Sequence, residues 1–131
     1  MGQEVKRKGE SDMADLRLCD SEYRFMCLVW ELSPVRSGDL VKAVRERLGW
    51  KKSTAYTVLK KLAERGFLRN EDALVTALVA KEECQAAETD HFMERTFEGS
   101  LPKFVAAFLG NRKISEKEAK EIKAMIDSHK E

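Results

Sequence analysis

The sequence predicts a mainly α-helical fold that includes one small β-hairpin. In most of the chain apolar residues recur at the i, i+3, i+4 spacing of a buried helix face, and only between residues 67 and 78 does this period give way to two short strand-like runs. A length of 131 residues suits one domain or two small ones. A hydrophobic content of 43% with 36% charged residues is typical of a folded, helix-rich chain rather than a disordered one.

The first two helices are indicated by their caps and apolar stripes. The first is expected to begin with Asp20 or Ser21 as its N-cap and to end before Pro34, because the residue preceding a proline disfavours helical geometry. The second is expected to begin at a Ser37 cap and to end at Gly49. Their inward-facing residues are Phe25, Leu28, Val29 and Leu32 in the first helix and Leu40, Val41, Val44 and Leu48 in the second.

The third helix lies in the stretch WKKSTAYTVLKKLAERGFLRN, residues 50–70. At 100° per residue, Ser53, Thr57 and Lys60 point away from its aliphatic residues. Gly66 follows at the position where a left-handed conformation ends a helix. The aliphatic face comprises Ala55, Val58, Leu59, Leu62 and Ala63.

A hairpin is predicted directly after the third helix. Residues 67–69 and 73–78 form the strands, Asn70, Glu71 and Asp72 form the turn, and Val35-Arg36 supplies a short first strand. Three helices followed by a hairpin are the element order of a winged helix-turn-helix. Residues 16–79 are therefore expected to form this domain, with residues 1–15 as a disordered extension, since only one apolar residue besides the first Met occurs in residues 1–12.

Residues 80–131 are expected to form three more helices and to make a dimer. The helices cover 81–97, the segment SLPKFVAAFLG with Pro102 in its first turn, and SEKEAKEIKAMID behind a Ser115 capping box. FVAAFL is apolar nearly all round, and a unit of roughly 50 residues builds a core of its own with difficulty, so a homodimer with a shared core is the economical solution. The residues expected to form it are Phe92, Met93, Phe97, Leu101, Phe104, Val105, Phe108, Leu109, Ile122 and Ile126.

The charge of the third helix points to DNA. Residues 50–70 contain six Lys or Arg and one Glu, although the whole chain has a formal charge of only +1. Hydroxyl groups and cations on one helix face are what a recognition helix needs in a major groove. The candidate contacts with DNA are Lys51, Lys52, Ser53, Thr54, Tyr56, Thr57, Lys60, Lys61 and Arg69.

Other function classes were weighed against DNA binding. A lysine-rich helix face is usually just solvated, and winged helices also serve as protein-interaction modules without sequence-specific DNA binding. Two His residues, no convergent acid–base cluster and no Gly-rich phosphate loop argue against an enzyme. The cysteines Cys19, Cys27 and Cys84 are too widely spaced for a metal site, so no metal or cofactor is expected, and Cys27 is expected to be buried. No run is apolar enough for membrane insertion or secretion, so a cytoplasmic location is expected.

The chain resembles the penicillinase repressor family over about residues 16–128. The resemblance rests on LCDSEYRFMCLVWE, on GWKKSTAYTVLKKLAERGFL and on TFEGSLPKFVAAFLGNRKISEKEAKEIKAMI. Spaced elements recurring in that family are matched here by Trp50, Thr54, Thr57, Leu59, Leu62 and Gly66, and by Phe97, Gly99 and Ser100. The resemblance implies a homodimeric repressor that binds a pseudo-palindromic operator through its winged helix.

The family also implies a form of regulation. Its repressors of β-lactam resistance are cut at an Asn-Phe bond in the dimerisation helix after a membrane sensor protease detects antibiotic. The matching bond here is His91–Phe92, which keeps the Phe and lacks the Asn, and a core anchor is the competing interpretation of Phe92. Copper-responsive members end in a Cys-rich motif, which this chain lacks after Cys84.

Two departures from the family concern the DNA-binding region. Lys51 stands where the family usually has a Ser or Thr cap, so Ser53 is expected to cap the third helix and to move its start by two residues. The expected turn, Asn70 to Asp72, is shorter and more acidic than many family wings, which leaves Arg69 as the one cation at its base. Few wing contacts with phosphate are therefore expected.

Overall fold

The computed structural model describes residues 16–131, and the expected disorder of residues 1–15 lies outside the described residues. Six helices and a small antiparallel sheet confirm the predicted fold class, a mainly α-helical winged helix, for this part of the chain. In chain order the elements are α1 Asp20–Leu32, β1 Val35–Arg36, α2 Ser37–Leu48, α3 Lys52–Glu64, β2 Leu68–Glu71, β3 Leu74–Ala77, α4 Lys81–Phe97, α5 Leu101–Leu109 and α6 Glu116–Ser128.

The chain forms two compact units, one that ends at His91 and one that comprises Phe92–Glu131. We call them the winged-helix unit and the C-terminal unit. The division falls inside α4, and the domain limits expected from the sequence, 16–79 and 80–131, stay a prediction. Across residues 16–131, no helix combines the length and the apolar character that crossing a membrane would require.

The sheet has the strand order β1-β3-β2, with β3 antiparallel to both neighbours. Val35 pairs with Val75, and Leu68 pairs with Ala77, so the two-residue strand between α1 and α2 lies at one edge of the hairpin. Because side chains alternate across a strand, Val75 and Leu68 are buried in the core, whereas Arg36 and Arg69 are exposed on the opposite face.

The hairpin turn is tighter than the sequence analysis expected. Asn70 and Glu71 belong to β2, and Glu71 pairs directly with Leu74 of β3, so only Asp72 and Ala73 connect the strands. Both have positive φ, 52° and 60°, as a two-residue type I′ turn requires. The expected three-residue turn was wrong because Asn70, a residue common in turns, pairs with Val75 in the ladder.

The core of the winged-helix unit is built from all three of its first helices and the sheet. Its largest fully buried side chains include Phe25 of α1 and Phe67, which directly precedes β2. The Trp50 ring stacks on Phe25 with centroids 5.8 Å apart, and Trp30 Nε1 donates to the Val79 carbonyl at 2.8 Å. The first contact holds the start of α3, which follows Trp50, against α1, and the second joins α1 to the segment after β3.

Two expected N-caps, those of α1 and α2, were wrong. The N-cap of α1 is Cys19, whose N–H donates to the Glu22 carboxylate at 3.0 Å, and α2 has Arg36 as its N-cap, so that Ser37 is already helical. The expected αL end at Gly49 is present with φ 73°, and Ser115 caps α6 through the Glu118 N–H. In α1 and α2 the residue with extended backbone geometry lies before the polar residue that was expected to be the cap, so each helix begins one or two residues earlier than expected.

Cys84, not Cys27, is the buried cysteine. Cys27 is half-buried on α1, and Cys19 is exposed. Burial, with the neighbouring Glu83 carboxylate, raises the pKa of the Cys84 thiol to about 11 against a smaller opposing effect of Arg65. Cys84 therefore acts as a small apolar side chain between α4 and the core.

Candidate nucleic-acid interface

Helix α3 is anchored by one face and presents the other to solvent. Ala55, Leu59 and Leu62 are buried in the core. At the C-terminal end the Phe67 N–H donates to the Leu62 carbonyl, and the N–H of Gly66, which has φ 84°, donates to the Ala63 carbonyl. This Schellman arrangement ends the helix where the sequence analysis expected. The exposed side chains on α3 and next to it include Lys51, Lys52, Ser53, Thr54, Tyr56, Thr57, Lys60 and Lys61.

The N-terminus of α3 is strongly electropositive. The helix begins at Lys52, with Lys51 in extended geometry as its N-cap and no acidic residue in its first turn. The expected Ser53 cap was therefore wrong. Cations at this end oppose the helix dipole by about 0.3–1 kcal/mol, whereas the free N–H groups there bind anions well. A phosphate placed at this end would relieve the unfavourable charge.

The hydroxyl of Thr57 is already engaged within the helix. Its Oγ1 donates to the Ser53 carbonyl at 2.9 Å. The oxygen can still accept a hydrogen bond, and the methyl group can still contact an apolar base edge such as the thymine methyl. Thr54 and Tyr56 lie exposed on the preceding turn.

The two adjacent lysines of α3 differ in their surroundings. Lys61 Nζ lies 3.0 Å from the Glu22 carboxylate of α1. Lys60 is exposed and makes no ion pair with any residue between 16 and 131. Sequence reasoning treated them as equivalent because a pairing between α1 and α3 leaves no trace in local spacing.

Glu22 is the only buried charged side chain among the described residues. Burial by itself raises the pKa of its carboxyl, but the Cys19 N–H and the Lys61 ammonium outweigh burial, so the pKa lies below its ordinary value. Arg65 Nη1 also lies 3.2 Å from this carboxylate, and Arg65 Nη2 donates to the Arg17 carbonyl at 2.8 Å. The carboxylate thus joins the start of α1 to the second half of α3.

The wing carries charges of both signs. Arg69 Nε lies 3.6 Å from the Glu71 carboxylate, and Asp72 at the turn is also exposed. The register places Arg36 of β1 opposite Leu74, on the same exposed face as Arg69. Arg36 was missed by sequence reasoning, although its alternation with the inward Val35 was a usable signal. The acidic tip expected from the sequence is present at Glu71 and Asp72.

A second group of cations lies where α2 meets α3. Lys42 and Arg45 line a shallow groove together with Glu46, Gly49 and Trp50. Arg47, on the same helix, is paired with Glu31 at 2.9 Å. Lys42 and Arg45 were not predicted from the sequence, because on α2 alone they are ordinary surface residues.

The residues expected at a dimer interface lie mainly in the C-terminal unit, where none of residues 92–131 is buried. Four Phe rings form a cluster with centroid separations of 5.5–6.4 Å. Met125, which the sequence analysis left out, is 61% exposed. Of the expected interface residues, Phe92, Leu101, Val105, Phe108, Leu109, Ile122 and Ile126 are exposed, whereas Met93, Phe97 and Phe104 are half-buried.

The candidate proteolytic bond His91–Phe92 lies inside α4. Arg17 Nη1 is 2.9 Å from His91 Nε2. The Phe92 ring makes edge contacts with Phe97 and Phe104. The Phe92 ring thus belongs to a cluster of Phe rings but is 36% exposed, so the competing interpretation of Phe92 as a buried core anchor was wrong.

Comparisons with known proteins agree with this geometry. The chain matches the family model described as Penicillinase repressor over residues 18–128. It is 23% identical over 118 residues to the "Penicillinase repressor" of Bacillus licheniformis, covering 87% of this chain and 92% of that protein. It is also 37% identical over 51 residues to an uncharacterized 16.5 kDa protein of the ptsI 3′ region of Latilactobacillus sakei, covering 39% of this chain and 35% of that protein. The chain belongs to the penicillinase repressor family, a family of DNA-binding transcriptional repressors rather than enzymes.

Proposed function

We propose that the protein acts as a cytoplasmic homodimeric repressor in which α3 of each chain enters the major groove of one operator half-site. The observation that carries this proposal is the anchoring of α3, which buries its aliphatic face and exposes hydroxyl groups and cations behind an uncapped, electropositive N-terminus. A fixed helix of this kind can hold side chains in one register along base edges. The operator is pseudo-palindromic, with half-sites separated by about 34–36 Å or a multiple of it.

The residues divide into two roles on DNA. Lys51, Lys52 and Lys60 contact phosphates, and Ser53 joins them at the N-terminus of α3. Thr54, Tyr56 and Thr57 contact base edges or thymine methyl groups. Arg69 contributes from the wing, where Glu71 and Asp72 limit the approach of further phosphates.

Dimerisation is assigned to residues 80–131, and DNA binding to residues 16–79. The exposed apolar residues of α5 and α6 support this assignment, because a chain that left them in water would carry an unusually large apolar surface. A two-fold dimer buries the same patch of both chains and presents two copies of α3 to a pseudo-palindrome.

Proteolysis of His91–Phe92 by a membrane sensor protease is a candidate mechanism for releasing the operator. The bond is part of a helix, so cleavage requires local unfolding of α4. Mass spectrometry of the protein from β-lactam-treated cells tests it: fragments ending at His91 support proteolytic release, and an intact chain in derepressed cells contradicts it.

DNA binding is tested by fluorescence anisotropy on the duplex upstream of the protein's own gene, across a salt series. A Lys52→Ala, Lys60→Ala double variant should lower the slope of log affinity against log salt by about 1.8, since each phosphate contact contributes about 0.9. The control is Lys117→Ala, Lys120→Ala, two exposed lysines of α6. Equal slopes for both double variants would contradict the assignment of α3.

A protein-interaction module is the second candidate function. The acidic residues Glu71 and Asp72 at the wing tip favour it, since they repel phosphate. The same titration separates the two candidates. No binding of the wild-type protein at micromolar concentration and low salt would favour the interaction module.

A further inference from the structure

Glu22 lies at the start of α1 and is 5% exposed. Its carboxylate accepts from the Cys19 N–H at 3.0 Å and lies 3.0 Å from Lys61 Nζ and 3.2 Å from Arg65 Nη1. Burying a carboxylate is costly unless donors compensate its charge, and here two cations and one backbone N–H do so. The Glu22 carboxylate is therefore held in place, with its negative charge compensated by these donors.

Lys61 is the partner that connects Glu22 to the DNA-binding surface. Its side chain is 59% exposed, and it directly follows Lys60, which lies on the proposed DNA-facing side of α3. A lysine strengthens the binding of random DNA by replacing counterions at a phosphate. To do so, Lys61 would have to leave a buried carboxylate, which Arg65 and the Cys19 N–H would then have to neutralise without it.

We propose that Glu22 holds Lys61 away from phosphates and so limits the sequence-independent part of the affinity for DNA. This inference rests on the proposed DNA-binding function of α3. Phosphate contacts supply nearly all of the affinity for random sequence, whereas base contacts supply discrimination. Keeping one lysine away from phosphate therefore lowers the sequence-independent part of the affinity by one contact and removes no base contact.

Arg65, the second cation at Glu22, is not expected to become available to phosphate when Glu22 is changed. Its guanidinium is half-buried, donates to the Arg17 carbonyl and lies over the Phe67 ring at 4.8 Å. These contacts hold it in place independently of Glu22. The proposal thus concerns a single releasable cation, and the expected change in salt dependence is that of one phosphate contact.

The test is a double-mutant cycle of Glu22→Gln and Lys61→Gln, measured by anisotropy on a random duplex and on the upstream duplex across a salt series. Glu22→Gln keeps an acceptor for the Cys19 N–H and removes the negative charge. The slope on random DNA should steepen by about 0.9, and the affinity at 0.1 M salt should rise about fivefold to tenfold. In that background, Lys61→Gln should remove the whole increase.

With Glu22 present, Lys61→Gln should lower the slope by less than half of the decrease caused by Lys60→Gln, which serves as the matched neighbour. A full decrease of about 0.9 for Lys61→Gln in the presence of Glu22, or an unchanged slope for folded Glu22→Gln, would overturn the proposal. Circular dichroism establishes folding, and if Glu22→Gln fails to fold, the Lys61→Gln and Lys60→Gln pair decides alone.

Failure of this inference is distinguishable from failure of the proposed function. A wild-type protein that shows no salt-dependent binding to either duplex removes the DNA-binding function and the role of Glu22 with it. If the wild-type protein binds DNA and Lys60→Gln lowers the salt slope, but Glu22 and Lys61 show no coupling, the proposed function stands and only the role of Glu22 is refuted.

Discussion

The winged-helix unit and the C-terminal unit contain helices with similar apolar stripes, yet only the first buries them within the chain. In the winged-helix unit Phe25, Leu40 and Leu59 are fully or nearly fully buried. In the C-terminal unit no residue from 92 to 131 is buried, and Ile126 is 53% exposed. An amphipathic pattern therefore predicts that a face will be covered, but not by what.

Size explains part of this difference. The C-terminal unit, Phe92–Glu131, is at the length below which a chain usually needs a metal, disulfides or a partner to build a core. The winged-helix unit closes its core with a sheet that brings β1 beside a hairpin distant in sequence. The C-terminal unit has two helices and the end of α4, with no sheet to cover them.

The largest expected effect is that of Ile122→Glu on the proposed dimer. Covering the exposed 43% of Ile122 contributes about 0.6–1.3 kcal/mol, and burying an unpaired polar group in its place costs about a further 1–2 kcal/mol. A two-fold dimer contains the residue twice, so about 3–6 kcal/mol is lost. The dissociation constant should rise by about 10²–10⁴-fold, measured by sedimentation equilibrium. In a monomer this exposed residue would tolerate the change.

The control for Ile122→Glu is Lys120→Glu, which places a carboxylate on the opposite side of α6. It should leave the dissociation constant within about threefold of wild type, because surface substitutions seldom change energies by more than about 0.5 kcal/mol. Equal effects of the two variants would contradict a specific interface on the apolar stripe.

A second prediction concerns the self-contained core. Leu62→Ala should lower the free energy of unfolding by about 2–5 kcal/mol, because Leu62 of α3 is fully buried against the rest of the unit. Urea denaturation should give the same loss at every protein concentration. The matched control is Leu78→Ala, at a residue that is exposed in the same unit, with a loss below about 1 kcal/mol.

The third prediction uses the lowered pKa of Glu22. A carboxyl whose pKa is lowered by folding stabilises the protein above its unfolded-state pKa, and this stabilisation is lost as the pH falls through the folded-state pKa. Urea denaturation at several pH values should therefore show a loss below about pH 5 in the wild type that is smaller in Glu22→Gln. At neutral pH the variant itself should be about 1–3 kcal/mol less stable.

The C-terminal unit supplies the control for this pH dependence. Its ion pair between Lys103 and Glu98 is exposed on both sides and contributes little. Glu98→Gln should leave the acid-dependent loss as it is in the wild type. If Glu98→Gln and Glu22→Gln flattened the pH profile equally, the buried carboxylate would not be its source.

The fold was predictable from the sequence where its determinants are local. The stripe of α3 and the glycine at its C-terminal end were sufficient to define the buried face and the end of that helix, and the limits of α4 were predicted correctly as 81–97. The N-terminus of α3 was not predicted correctly, because Lys51 lacks the cap that usually marks a helix start. The hairpin turn was missed because register is a property of two strands.

The candidate site shows the same distinction between local and long-range determinants. Periodicity was enough to place Ser53, Thr57 and Lys60 on the solvent face. It gave no sign that Lys61 pairs with Glu22, since 39 positions separate them in the chain. Arg36 joins the wing face only through the pairing of β1 with β3. Long-range pairing of charges must be read from the structure.

The smallest expected effect sharpens the comparison at the hairpin turn. Ala73 has φ 60°, a left-handed conformation that costs a residue with a Cβ more than it costs glycine, and its carbonyl accepts from the Ser37 N–H at 2.8 Å. Ala73→Gly should raise the free energy of unfolding by about 0.5–1 kcal/mol in urea denaturation. Asp72→Gly is the control, with a smaller gain because Asp tolerates this conformation better. The change should leave the dissociation constant of the proposed dimer unchanged, since the turn belongs to the unit whose core is complete within one chain. A shift in that constant would mean that the stability of the winged-helix unit and the affinity of the dimer are coupled.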